Sequence, residues 1–415
     1  MTDSGQAATD RDRPTRDGPG PVRRYGRRAS ALADRFHPWG LVLGLFLGSK
    51  IVLTVTGVVA TVAGRSVPGI PPLDRAQMWG QQQEISPYRA VNMWFAWDSF
   101  IYDGLARASL TGDWTGFAFP LLYPFLGKAL AVVLGGNTAI ALLVISNIAF
   151  LGMLYYAYRL GERLLGDAGG ARRFTTYLVL LPTAFLFQAA LTESLFLCLT
   201  LACFYYAERR RWLLVGVIGF FLGTSRSVGF LVAVPLALVL LQQHRYRLGP
   251  RSLWRYVRTG WPLLLIPAGW LTFMAFCRWK GGDWFAYKKA QEAGWSIRVQ
   301  NPLPVLIEGL GNGRPADAAR VWLAVVVLVV VLAGLRRAWF PYLVYALIMV
   351  AVPLSMGPPV YKSLLRYLLA VFPVALVLAR WTRDRTADVW LSAAMALLQG
   401  GLFVVWLAYW THFII

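Results

Sequence analysis

Asp98 stands between Trp97 and Ser99 and is followed by Phe100, Ile101 and Tyr102, a carboxylate set among aromatic side chains. Such neighbours can position a base and withdraw part of its water. The same residue at the start of a short helix would serve equally as a surface cap. Asp103 follows five residues later, so either carboxylate could act. Two further ionisable residues lie inside apolar stretches: Glu193 in Thr192-Glu193-Ser194, and Arg226 in Thr224-Ser225-Arg226. Charges in such surroundings need a protein-lined or watery recess. A carboxylate in an outward recess with several cations suits an anionic ligand, including a lipid-linked one.

Other chemistries are absent from the sequence. There is no P-loop, no GxGxxG, no GxSxG and no HExxH. His37, His244 and His412 fall at a tail, in a basic turn and at the last residues, away from the carboxylates, which argues against a histidine base or a histidine-ligated metal. Cys198, Cys203 and Cys277 lie in or beside apolar segments without metal-like spacing and read as small core residues. The reading therefore includes no cofactor and no metal.

The elements that must position these residues are membrane helices. The chain of 415 residues is 57% hydrophobic and only 15% charged, against about 45–50% and about 25% in soluble domains. Trp39 to Val62 alone is twenty-four residues with one charge, Lys50, which reads as a snorkelling or internally paired lysine. The net charge of +21 is spread in clusters that flank apolar runs, a pattern that sets topology and argues against a nucleic-acid partner. Residues 1–35 read as a disordered basic cytoplasmic tail and 36–415 as a transmembrane domain. With the tail and five Arg-rich connections (159–173, 209–211, 245–258, 336–337 and 380–385) on the cytoplasmic side, twenty-five of forty-one Lys and Arg residues lie there. That solution needs eleven crossings, an all-α bundle with its amino terminus inside.

Two stretches refine the threading. Phe119 to Leu134 is short and broken by Pro120 and Pro124, and it reads as an interfacial helix in the first outer loop. Only thirty residues, Trp212 to Leu241, separate two basic clusters that belong on one side, whereas two full crossings need about forty. The turn at Arg226 should therefore stop short of the outer surface, and the same holds for the turn at Glu193 between Phe174 and Ala207. The outer side then receives long loops over 63–136, 278–320 and 355–366. The first holds the aromatics Trp79, Tyr88, Trp94 and Trp114 with Asp113; the second holds Gly281-Gly282-Asp283, Lys288, Lys289, Gln291 and Trp295; the third holds Lys362, Arg366 and Tyr367. Loops of this length in a compact bundle are usually functional, although many of the aromatics fit an interfacial belt.

Several segments, in order, resemble the PIG-V-like mannosyltransferases of the GT-C class of integral membrane glycosyltransferases. They are Trp97-Asp98-Ser99; Phe119-Pro120-Leu121-Leu122-Tyr123-Pro124; Leu181-Pro182-Thr183-Ala184-Phe185 leading to Thr192-Glu193-Ser194-Leu195-Phe196; and Thr224-Ser225-Arg226-Ser227-Val228-Gly229. Weaker similarities are Ala290-Gln291 with Trp295, and Arg366-Tyr367 before Phe372-Pro373. The resemblance covers roughly residues 40 to 380. Ala118 departs from it, since the family tends to carry a second Phe there.

The resemblance implies a GT-C-like fold and a polyprenyl-phosphate mannose donor. It also implies inverting transfer to a hydroxyl on a glycan, lipid or protein acceptor at the extracytoplasmic face of a plasma membrane, with Arg-, Ala- and Trp-rich usage suggesting a bacterial one. Asp98 would be the base. Arg226, then Arg366 and Lys362, would hold the phosphate, and Trp97, Asp103, Glu193, Gln291, Trp295 and Tyr367 would line the substrate site. The rival readings are a transporter or flippase for an anionic lipid-linked substrate, and a non-catalytic subunit of a glycosylation complex. Arg226 and Glu193 also admit a plainer role, in which each neutralises the other.

Overall fold

The computed structural model describes residues 21–65, 85–108, 114–247, 249–334 and 336–407. Trp79 and Asp113 lie outside the described residues. Among those described there is no strand, and the chain is all-helical. Met1–Gly40 and Leu41–Ile415 are separate compact units. Of the first, the part from Pro21 onward is the opening of helix α1, Pro21–Arg65. The tail expected over 1–35 is thus helical in its second half, where Ala, Leu and Arg, all good helix formers, outnumber the breakers.

In the second unit, α1 is followed by α2 (Arg89–Asn92), α3 (Asp98–Arg107), α4 (Leu122–Ala131), α5 (Thr138–Leu165), α6 (Ala168–Leu180), α7 (Glu193–Glu208), α8 (Trp212–Ser225) and α9 (Ala233–Gln243). Then come α10 (Pro250–Gly260), α11 (Leu265–Gly281), α12 (Ala286–Trp295), α13 (Pro302–Leu310), α14 (Pro315–Gly334), α15 (Phe340–Leu354), α16 (Leu364–Leu368), α17 (Pro373–Trp381) and α18 (Arg385–Leu407). Six helical stretches among the described residues are long and apolar enough to cross a membrane, or seven if the pair Pro358–Leu368 and Pro373–Trp381, bent by 51°, is one span. Leu122–Leu134, Trp212–Ser225 and Gly229–Gln243 are apolar but shorter.

The short helices stop where the sequence arithmetic requires turns. Helix α6 ends at Leu180, and a 3-10 turn at Ala184–Gln188 leads to α7, whose first residue is Glu193. Helix α8 ends at Ser225, Arg226 adopts extended backbone, and a 3-10 turn at Gly229–Val232 begins α9. Fourteen residues of α8 span about 21 Å, well under the ~30 Å of a bilayer core. The Phe119–Leu134 stretch forms α4 and a 3-10 turn; Tyr123, Pro124, Gly127 and Ala131 face the protein, while Phe125, Val132 and Val133 are exposed. That two-faced character is what an interfacial helix needs.

The Arg-rich connections meet at one end of the bundle. Arg163 donates to the Glu208 carbonyl at 2.7 Å, Gln243 to the Ala207 carbonyl at 2.8 Å, and Gln242 to the Ala338 carbonyl at 2.6 Å. Arg380 reaches the Gly334 carbonyl at 2.9 Å, Arg173 the Ala379 carbonyl at 3.0 Å, and Arg172 pairs with Asp388 at 2.8 Å. All five connections are joined by these bonds, and Glu193 and Arg226 lie at the other ends of α7 and α8. The sixteen residues of α7 separate the two ends by about 24 Å.

The charge inside α1 is satisfied in neither expected way. The Lys50 ammonium sits 3.7 Å from the centroid of the Trp94 ring, which also stacks on Phe403 at 5.5 Å, so an aromatic face takes the place of an acidic partner.

Helix α8 packs backbone to backbone on α11 and on the 3-10 turn Trp261–Leu264 that precedes it. A Cβ at Gly223 would lie 2.2 Å from the Ile266 carbonyl oxygen, one at Gly216 2.5 Å from that of Pro262, and one at Gly269 2.1 Å from that of Phe220. Interfaces of small residues let apolar helices approach closely enough for dispersion forces to hold them where no hydrophobic drive exists. Gly269→Ala should therefore destabilise the protein by about 1–3 kcal/mol, read as a lower thermal midpoint in detergent. Gly400→Ala, where a Cβ meets nothing within 4 Å, should leave the midpoint level or raise it. Equal midpoints for the two variants would refute the close α8–α11 contact.

Candidate functional site

The helix ends that meet at the second end of the bundle bring four charged side chains into one chain of ion pairs. Arg366 is held by two carboxylates: its Nη1 donates to Asp98 Oδ2 and its Nε to Glu193 Oε1. Arg226 Nη1 donates to the same Glu193 oxygen at 2.8 Å. Asp98 is the first residue of α3 and Glu193 the first of α7, where unpaired N–H groups and the helix dipole favour negative charge. Arg226 follows the last residue of α8, and Arg366 lies in the last turn of α16, where the dipole favours a cation. Helix breaks therefore place each sign of charge where the backbone stabilises it.

Exposure differs along the chain in a way that matters. The side chains of Glu193 and Arg366 are 2% and 7% exposed, those of Arg226 and Asp98 14% and 19%. The buried middle holds the network together, while Asp98 and Arg226 form its accessible ends. The four charges sum to zero, which makes burial tolerable. One acceptor is left over: Glu193 Oε2 is buried with no hydrogen-bond partner among the described residues. The Tyr367 ring lies 5.3 Å from the Arg226 guanidinium and covers one side of it.

The loop before α3 is built to present Asp98. Trp97 holds a positive φ of 48°, rare for a bulky residue and costly by roughly 1–3 kcal/mol. The Ala96 N–H donates to Ser99 Oγ at 3.2 Å while Ser99 N–H returns to the Ala96 carbonyl at 3.0 Å, and Ser99 is fully buried. Four residues after Asp98, and so on the same face of α3, Tyr102 is buried with its ring edge-to-face against Phe119 at 5.2 Å and Tyr123 at 5.0 Å. Burial, and then the Asp98 charge, push the Tyr102 phenol upward, so it stays protonated. The Tyr123 hydroxyl shares a 2.7 Å hydrogen bond with Ser146, Ser146 donates to the Leu191 carbonyl at 2.8 Å, and Ser194 donates to the Ser146 carbonyl at 2.9 Å. This ladder anchors the start of α7. Ser99 and Ser194 entered the sequence reading only as members of the quoted segments, and Ser146 was not singled out; the adjacent polar pair Ser146-Asn147 in an apolar stretch of α5 was the available signal.

Other expected site residues lie apart from the network. Asp103 accepts from Thr138 Oγ1 at 2.5 Å and pairs with Arg107 at 2.7 Å, tying α3 to the start of α5. Five residues along a helix turn a side chain by about 140°, so Asp98 and Asp103 face different neighbours. Gln291 donates to the Ala118 carbonyl at 2.7 Å and Trp295 packs edge-to-face on Phe119 at 5.5 Å, so both brace the 118–119 segment. Lys362 is exposed on the turn Pro358–Ser363 and does not join the ion pairs. No group of three or more His, Cys, Asp or Glu side chains among the described residues is placed to hold a metal ion.

No protein-family model matches this chain, and no curated protein matches it.

The network makes a direct energetic prediction. Arg366→Ala leaves Glu193 and Asp98 without their shared cation and should destabilise the protein by about 3–5 kcal/mol. Adding Glu193→Gln to Arg366→Ala should recover part of that loss, because the remaining Asp98 and Arg226 charges again sum to zero. Chemical denaturation of the two single variants and the double variant measures the coupling; strictly additive effects would mean that the two side chains do not interact.

Proposed function

We propose that the protein is a polytopic membrane glycosyltransferase of the PIG-V-like, GT-C kind. It would transfer mannose, with inversion, from a polyprenyl-phosphate donor to a hydroxyl of a glycan, lipid or protein acceptor. The observation that carries the reading is the Asp98–Arg366–Glu193–Arg226 chain of ion pairs. It joins residues from four of the segments that resemble that family, separated by up to 268 positions in the sequence.

The arrangement suits the reaction. The acceptor hydroxyl gives its proton to Asp98 as its oxygen attacks the anomeric carbon, and the bond from that carbon to the phosphate oxygen breaks. The negative charge of Asp98 is thereby transferred to the departing lipid phosphate, which needs cations and no proton. Arg226, the more exposed guanidinium, meets that phosphate first, and Arg366 can exchange a carboxylate for a phosphate oxygen without losing charge balance. The unpartnered Glu193 Oε2 is an acceptor for a sugar or acceptor hydroxyl. Asp103, committed to Arg107 and Thr138, serves the fold, so of the two carboxylates Asp98 is the base.

The reading also assigns topology: eleven crossings of a bacterial plasma membrane, with the Arg-rich end cytoplasmic and the ion-pair end extracytoplasmic. The short helices α6 to α9 supply four of those crossings because their turns sit in a recess. In membranes containing the protein and radiolabelled polyprenyl-phosphate mannose, Asp98→Asn should lower transfer by about 10²–10⁴-fold while donor binding persists. Asp103→Asn should lower it only as far as it lowers stability. Transfer by Asp98→Asn at the wild-type rate would overturn the assignment of the base. No transfer by the wild type, together with movement of the labelled lipid across a sealed bilayer, would replace the enzyme with a transporter.

A further inference from the structure

The Arg-rich end of the bundle holds a surface that the ion-pair site does not use. From Arg209 to Gly282 the chain has seventy-four residues without a single Asp or Glu. Within that stretch Arg209, Arg210, Arg211, Arg245, Arg247, Arg251, Arg255 and Arg258 are all exposed. Helix α10 carries three of them and is held to the bundle by one buried side chain, Tyr256. The Tyr256 hydroxyl donates to the Arg247 carbonyl at 3.0 Å, and its ring packs edge-to-face on His244 at 5.3 Å. His244 titrates below its ordinary range, through burial first and then through Arg255 and Arg210, which places the α10 and Arg209–Arg211 charges around one point.

The rest of α10 is divided lengthwise. At about 100° per residue, Leu253, Trp254 and Val257 share one half of the circumference with Tyr256, and Arg251, Arg255 and Arg258 occupy the other. Leu253, Trp254 and Val257 are 60%, 69% and 54% exposed, and Trp261 follows at 51%. The helical stretch Pro250–Gly281 is thirty-two residues, about 48 Å, against ~30 Å of hydrocarbon. Its first turns, carrying the arginines, therefore emerge through the headgroup layer. An acid-free cationic face beside exposed Trp and Leu is complementary to an anionic lipid surface in both charge and polarity.

We propose that α10, with the Arg209–Arg211 and Arg245–Arg247 turns, is a binding site for anionic phospholipid headgroups. The arginines meet the phosphates and the Leu253, Trp254 and Val257 side enters the acyl boundary. The inference rests on the membrane-spanning reading and is independent of sugar transfer.

The test begins with the full-length protein in lipid nanodiscs and continues with delipidated protein in detergent, titrated with phosphatidylglycerol or phosphatidylcholine. Bound lipids are counted by native mass spectrometry. The wild type should bind phosphatidylglycerol about tenfold or more tightly than the triple variant Arg251→Gln/Arg255→Gln/Arg258→Gln, and both should bind phosphatidylcholine alike. Leu253→Ser/Trp254→Ser, which keeps every charge, should also weaken phosphatidylglycerol binding. Arg336→Gln/Arg337→Gln, at the adjoining basic turn outside the proposed site, should leave it unchanged. Equal phosphatidylglycerol binding by the wild type and the triple variant would overturn the site, as would an equal loss in the Arg336/Arg337 variant. A lipid-free dimer abolished by the α10 substitutions would overturn it in favour of a second copy of the chain. Failure of the wild type to enter nanodiscs at all would instead remove the membrane reading, and the site with it.

Discussion

Arg366 placed between two carboxylates is the contact on which the arrangement of the second unit depends. Its guanidinium is planar and always charged, and its Nε and Nη1 reach carboxylates brought from α3 and α7. A lysine at this position would supply a point charge without the fork. Because Asp98 and Glu193 begin their helices and Arg226 and Arg366 stand at or near the ends of theirs, four helices must terminate around one point. That requirement explains why the neighbouring helices are short and interrupted. Leu181-Pro182 ends α6, and the Arg226–Val228 break separates α8 from the turn that opens α9, where a Cβ on Gly229 would lie 2.1 Å from the Leu222 carbonyl oxygen. Regular helices through this region would carry the charges past one another.

The two ends of the bundle solve their electrostatics differently. At the ion-pair end, cations and carboxylates alternate and cancel within one buried chain. At the other end, Arg163, Arg380 and Arg173 donate to the backbone carbonyls of Glu208, Gly334 and Ala379, Arg159 and Arg172 pair with Glu162 and Asp388, and many arginines remain exposed. Carbonyl acceptors at helix C-termini satisfy a guanidinium without neutralising it. The ion-pair chain is therefore neutral, and the other end of the bundle is strongly positive and open.

Much of this was legible in the sequence, for reasons that can be located. Helix class followed from apolar run lengths. The breaks at Glu193 and Arg226 followed from residue counts between basic clusters, since the thirty-four and thirty residues there cannot cross a bilayer twice at full length. The same counting brought Glu193 and Arg226 together, and they pair at 2.8 Å. Arg366 as the partner of Asp98 was not legible from spacing, because 268 residues separate them and only tertiary packing joins them. Asp103 shows a different limit. Its chemistry equals that of Asp98, and only its rotation about α3, which carries it to Thr138 and Arg107, distinguishes the two. Gln291 and Trp295 act on the 118–119 segment, a contact between α12 and a distant turn that no periodicity reports.

The glycines of α8 and α11 carry a consequence for descent. At positions 216, 223 and 269 even a methyl group meets backbone, and backbone cannot rotate out of the way as a side chain can. These sites are closed to drift: any substitution must be matched by a shift of a whole helix. Away from that contact, Leu214, Val217 and Phe221 of α8 are exposed and free to exchange among apolar residues of any shape. One fourteen-residue segment thus joins an almost immutable edge to a permissive one, and in a comparison of homologous chains its alignment should be anchored by what lacks a side chain.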